Sequence, residues 1–134
     1  MLPVSASRAR GRTVTAANRT KGSLLGDRIG VADGFFRRLA GLLGRPPLSE
    51  GEGLWITPCS SVHSIGMRYP IDVLFLDVRG KVVGACPGLP PGRLSRLYFG
   101  AKGALELPEG TLSRTGTEIG DTVEFQEAPD VRRS

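Results

Sequence analysis

The chain reads as a mainly β (α+β) protein: a compact β-sandwich or barrel-like domain with one main α-helix packed on it. Three observations predict this. Residues 70–86 carry a strand, a tight turn and a return strand. Helical spacing of apolar residues is sustained in only one substantial stretch. The remaining apolar runs are short and separated by loops bearing Gly, Pro and Asp, the punctuation of an all-β arrangement.

Residues 1–22 are rich in Arg, Ser, Thr and Ala without period and read as a disordered basic tail. Ser23 to Val31 suits a short strand interrupted by glycines. Asp33 is a plausible N-cap for a helix to about Leu43, with Gly44 after it and Pro46-Pro47 beyond. Phe35, Phe36, Leu39, Leu42 and Leu43 make its apolar stripe, which would lie across a sheet. Leu54-Trp-Ile-Thr57 is a short strand that ends at Pro58.

The strongest strand signal starts at Pro70. Ile71, Val73 and Phe75 fall on one face and Asp72, Leu74 and Leu76 on the other, so both faces should be covered. Asp77-Val-Arg-Gly80 is a turn with glycine available for a positive φ, and Lys81 to Cys86 returns as the hairpin partner. Pro87-Gly-Leu-Pro-Pro-Gly92 reads as a loop outside regular structure. Arg93 to Gly100 fits either a loop or an edge strand presenting Tyr98 and Phe99. Ala104 to Pro108 is a strand, Glu109 to Gly116 a helix of one or two turns, and Ile119 to Phe125 a Gly-Asp turn followed by a closing strand. The folded unit is thus expected over 23–127, with 128–134 frayed.

At 134 residues the chain has room for one domain with a core of its own. The net charge is +5, but Arg8, Arg10, Arg12, Arg19 and Lys21 all lie in 1–22 without an acid among them. Setting those five aside leaves 13 basic and 13 acidic residues in 23–134, a neutral remainder that argues against a basic nucleic-acid-binding face. Two cysteines do not make a disulfide framework. No apolar run is long enough to span a membrane, and residues 1–20 contain no continuous apolar segment. A cytoplasmic location with reduced thiols is the expectation.

His63 is the only histidine, and Asp72 is an acid inside an apolar run. A carboxylate on a covered face must accept hydrogen bonds or pair with a cation. Backbone N–H groups or Arg68 would satisfy Asp72; alternatively it could orient His63 in a general acid–base pair. Cys59, His63 and Met67 recur every four residues and include soft metal ligands. In an extended chain Cys59 and Met67 would stand about 26 Å apart at ~3.3 Å per residue. The intervening Ser- and Gly-rich sequence is a poor helix former. No metal or cofactor is expected from this spacing, and no phosphate-binding or dinucleotide motif is present.

The segment from His63 to Asp77 resembles the signature of the domain of unknown function 192 family, a group of small uncharacterised prokaryotic proteins. Arg38-Leu-Ala-Gly-Leu-Leu-Gly-Arg45, Glu106-Leu-Pro-Glu-Gly110 and Gly120-Asp121 are similar to its other motifs, in order. The resemblance covers about residues 24–125. It implies a mainly β sandwich-like fold with one helix, no established activity, and Arg38, His63, Met67, Asp72, Glu106 and Asp121 as signature positions. Glu109, where a small residue is usual, and the loop 87–92 depart from the pattern.

These readings favour a non-catalytic domain that binds an unknown small ligand or a protein partner, with no specific nucleic acid. His63, Met67, Arg68, Asp72 and Arg38 are the candidate binding residues. The alternative is a small hydrolytic or metal-assisted enzyme using His63 with Asp72 or Glu106. A third reading makes the basic tail a tether to nucleic acid or membrane.

Overall fold

A computed structural model describes residues 12–33, 47–64 and 67–127. Its strands are β1 (Thr13–Asn18), β2 (Ser23–Asp33), β3 (Glu52–Thr57), β4 (Ile71–Leu76), β5 (Val82–Leu89), β6 (Gly103–Pro108) and β7 (Val123–Glu127). One short helix, α1 (Thr111–Thr115), stands between β6 and β7. All seven strands form one sheet in the order β5-β4-β6-β3-β2-β1-β7. The sheet curls into a half-barrel, and a bridge between Lys81 and Thr122 ties its two ends together.

Curling gives the sheet an inner and an outer apolar face. Leu25, Ile29, Leu74, Leu76, Leu105 and Leu107 belong to the inner cluster. Leu54, Ile56, Ile71, Val73 and Phe75 belong to the outer one, together with Val62 from a loop. Strand β4 serves both, and all six of its residues are buried. The alternation expected for Ile71–Leu76 is therefore observed on both sides. The Asp77–Gly80 turn forms as read, with Gly80 at φ 84° and its N–H donating to the Asp77 carbonyl. Helix α1 ends at Gly116, whose φ of 71° is the left-handed cap position.

Three sequence expectations need correction. The first is the tail. Strand β1 lies inside 1–22, with Val14, Ala16 and Asn18 turned inward at period two. It is held on one side by β2 and on the other by β7. Its cations are neutralised by acids far along the chain: Arg12 by Glu127, Arg19 by Glu124, and Lys21 by Glu118 and Asp121. Only residues 1–11 of the supposed tail lie outside the described residues.

The second correction concerns Pro87-Gly88, which continue strand β5 to Leu89 instead of leaving it. Proline is tolerated because β5 is the edge of the sheet, and a register shift between Ile71 and Val73 absorbs the irregularity. Third, β2 is a continuous strand of 11 residues reaching Asp33, where a helix was expected to begin. The expected helix over 33–43, with Arg38, otherwise falls outside the described residues, as does the C-terminal segment 128–134.

Candidate functional site

Asp72 is 1% exposed and sits opposite the irregularity in β5. Its Oδ1 accepts the Gly88 N–H at 2.8 Å, and its Oδ2 accepts the N–H groups of Gly110 at 3.1 Å and Leu112 at 2.9 Å. A bulge leaves an amide without a ladder partner, and a helix start leaves several more. Gly110 has no side chain to cap α1, so the carboxylate of β4 does it from across the sheet. All three donors are backbone groups.

The three residues of the acid–base reading are not brought together. Across the β4–β6 pairing Asp72 faces Leu107 and Val73 faces Glu106. Adjacent residues on a strand point to opposite sides, so Asp72 shares the inner face with Leu107 while Glu106 shares the outer face with Val73. Glu106 is buried there, opposite Leu54 on the neighbouring strand. His63 lies outside the sheet with its side chain exposed, and its backbone forms an isolated bridge with Leu94.

That bridge belongs to a larger arrangement the sequence did not reveal. Residues 59–64 and 92–102 zip into an irregular antiparallel ribbon. The Cys59 N–H donates to the Lys102 carbonyl (3.0 Å), Tyr98 to Ser60 (2.8 Å), Ser95 to Val62 (2.8 Å) and Ser64 to Arg93 (2.8 Å). The buried Ser95 hydroxyl accepts the Val62 N–H in return at 2.9 Å. This ribbon roofs the outer cluster. Cys59, Val62, Tyr98 and Ala101 pack inward from it, and Met67, just beyond it, packs there too.

Tyr98 fixes the ribbon to the sheet. Its ring stacks on Phe75 with centroids 4.4 Å apart, and it lies so close over Gly84 that a Cβ there would overlap it. Its hydroxyl is 3.5 Å from the Cys86 thiol. The thiol neighbour first, and burial second, hold the Tyr98 hydroxyl above its ordinary pKa. The Cys59 thiol donates to the Ser61 carbonyl, so the three evenly spaced candidates Cys59, His63 and Met67 split: His63 outward, the other two against the core. Neither cysteine is in a disulfide.

The ribbon's outer side carries a different set. Leu94, Leu97 and Phe99 are 72%, 53% and 86% exposed. Around them stand His63, Arg93, Arg96 and Lys102, all exposed, with Arg68 in the loop that leaves the ribbon for β4. Neither 58–70 nor 90–103 contains an acid. Among the described residues Arg68, Arg93, Arg96 and Lys102 form no ion pair, and Arg96 makes only a distant approach, 6.0 Å, to the Tyr98 ring. The balanced charge of 23–134 hid this segregation, because a sum carries no position.

At the opposite end of the sheet order, Asp121 anchors a polar seam. Its carboxylate accepts Asn18 Nδ2 at 2.9 Å, Lys21 Nζ at 2.8 and 3.0 Å, and the Glu118 N–H at 3.1 Å. Burial pushes its pKa up, but Asn18, Lys21 and the Glu118 N–H outweigh that and leave it below 3.8. Hydrogen bonds to Asp121 and Glu118 raise the Lys21 ammonium above 10.5. Asn18, wholly buried and also bonded to Thr117, had no sequence signal as a partner of Asp121.

No helix among the described residues is long and apolar enough to cross a membrane. Residues 16–125 match the DUF192 family model, described as "Uncharacterized ACR". A UPF0127 protein of Thermococcus sibiricus is 34% identical over 117 residues, covering 81% of this chain and 73% of that protein. Another, from Pyrococcus furiosus, is 33% identical over 113 residues, covering 81% and 95%. Among solved structures, a Novosphingobium aromaticivorans protein of unknown function superposes with a TM-score of 0.73 at 23% identity, over 84% of this chain and 83% of that one. A Sinorhizobium meliloti protein does so with a TM-score of 0.71 at 22% identity, over 85% and 92%. At those identities the likeness is one of fold.

Proposed function

Taking as premise that this chain belongs to the domain of unknown function 192 family, matched over residues 16–125, we propose that it is a non-catalytic binding domain whose recognition surface is the outer face of the ribbon. One observation carries this reading. Leu94, Leu97 and Phe99 project into water from a backbone locked by the Ser95, Val62 and Tyr98 contacts. Apolar side chains left exposed on a backbone that is already fixed spare binding the cost of ordering that backbone, a property of recognition surfaces. His63 and Arg68 belong to this surface or its margin; Met67 supports it from below.

The enzyme reading is the weaker one. Asp72 spends both oxygens on three backbone N–H groups, and Glu106 lies on the other face of the sheet. A general acid–base pair needs its members within hydrogen-bond reach of one substrate. A cytoplasmic location with reduced thiols accords with the two free cysteines.

Photocrosslinking in cells tests the reading. A photoreactive residue at Leu97 or Phe99 should give a discrete adduct, and the same residue at the exposed Leu24 should not. Equal labelling at the three positions, or none at any, would refute it.

A further inference from the structure

The reading of the ribbon as a recognition surface leaves open what it recognises, and the inference here rests on that reading. We infer that the ribbon docks on an anionic lipid surface, with Leu94, Leu97 and Phe99 entering the interfacial layer and Arg93, Arg96, Lys102 and Arg68 meeting the lipid phosphates.

Charge gives the first argument. Elsewhere among the described residues cations keep company with acids: Arg12, Arg19, Lys21, Arg28 and Arg114 each pair with one, and Arg79 and Lys81 flank Asp77, whose carboxylate accepts both of their backbone N–H groups. The four cations at the ribbon have no acid in either of its loops and no ion pair among the described residues. Their complement is therefore an anionic surface outside the molecule.

Shape gives the second. Leu94, Leu97 and Phe99 are more than half exposed one by one, so they are projections and not the walls of a groove. A fluid apolar layer closes around such projections without a matching pocket, while long Arg and Lys side chains reach back to the headgroups. A phosphate backbone of nucleic acid would use the arginines and could stack a base on Phe99, but it offers nothing to Leu94 and Leu97. A protein groove would have to supply three apolar pockets and an acidic rim at once.

Rigidity gives the third. Ser95 and Tyr98 alternate with the projecting residues and are held inward, Ser95 by the Val62 amide and Tyr98 by Phe75. The backbone that carries the projecting residues is thus fixed before any surface is met, so no loop has to be ordered on docking.

Vesicle co-sedimentation of the full chain tests the inference, using phosphatidylcholine vesicles with and without phosphatidylglycerol. Retention should require phosphatidylglycerol and should fall as salt is raised. Arg93→Gln and Arg96→Gln should each weaken it about fivefold, the effect of about one surface cation. Phe99→Ser should weaken it about tenfold or more by removing an inserted ring, with an unchanged circular dichroism spectrum showing that the chain still folds. No retention on phosphatidylglycerol vesicles overturns the inference. So does retention that survives Phe99→Ser, which would place binding at Arg8 and Arg10 or on another surface. Capture of duplex DNA without capture of vesicles also overturns it, in favour of a nucleic-acid partner. A protein adduct at Phe99 in cells together with no vesicle retention would leave the ribbon a recognition surface and remove only the lipid.

Discussion

The seam between β1 and β7 and the outer side of the ribbon are both rich in cations, and they use them in opposite ways. At the seam Arg12, Arg19 and Lys21 each meet a carboxylate, and the central one, Asp121, is buried and further bonded by Asn18. On the ribbon Arg93, Arg96 and Lys102 surround exposed apolar side chains and meet no acid among the described residues. Charge at the seam is matched across two neighbouring strands of the sheet, β1 and β7. Charge on the ribbon has no acidic partner among the described residues and stays available to one outside the molecule.

The contrast can be broken at several points. The largest effect should come from Asp72→Ala, which strands three buried N–H groups at the β5 irregularity and the start of α1. A loss of about 3–5 kcal/mol in urea unfolding is expected. A loss under about 1 kcal/mol would mean that water serves those amides equally well. Next comes Gly84→Ala, whose methyl group must displace the Tyr98 ring. It should cost about 1–3 kcal/mol and expose 93–100 to proteolysis; unchanged cleavage would show that Tyr98 does not hold the ribbon down.

At the seam the prediction is one of pH. The Asp121 carboxyl in the folded chain sits below its ordinary 3.8, so between those two values the unfolded chain binds more protons. Its contribution is therefore complete above about pH 4 and is lost as pH falls through the folded value. Asp121→Asn should flatten the acid limb of a stability–pH curve; an unchanged limb would move the acid sensitivity to another group. The smallest stability effect belongs to the ribbon's outer side. Arg93→Gln and Arg96→Gln should change unfolding free energy by less than about 0.5 kcal/mol, as surface substitutions do.

Much of the sheet was legible because its signals are local. Strand β4 announced two buried faces through alternation, and the Asp77–Gly80 turn and the Gly116 helix end each rest on a glycine at the position that needs one. Strand β1 was missed because the acids that neutralise its cations lie about a hundred positions later, where no window on the sequence reaches. The extension of β5 through Pro87 was missed because proline is excluded from central strands, and nothing local says that this strand is an edge. Asp72 was visible as a buried acid and Glu106 as an acid on a short strand, but which face each occupies depends on the β4–β6 register, a nonlocal quantity. The ribbon was illegible for the same reason: Ser95 and Tyr98 face inward only because residues 59–64 lie alongside them.

The apolar side chains outside the ribbon, Leu94, Leu97 and Phe99, are separate from those that hold it in place. Urea unfolding of Leu94→Ser/Leu97→Ser/Phe99→Ser beside Tyr98→Ala measures this directly. The triple variant should stay within about 1 kcal/mol of the parent, while Tyr98→Ala, which loses the stacking on Phe75, should fall by about 2–3 kcal/mol. A triple variant as destabilised as Tyr98→Ala would make those three side chains part of the core and would contradict the account.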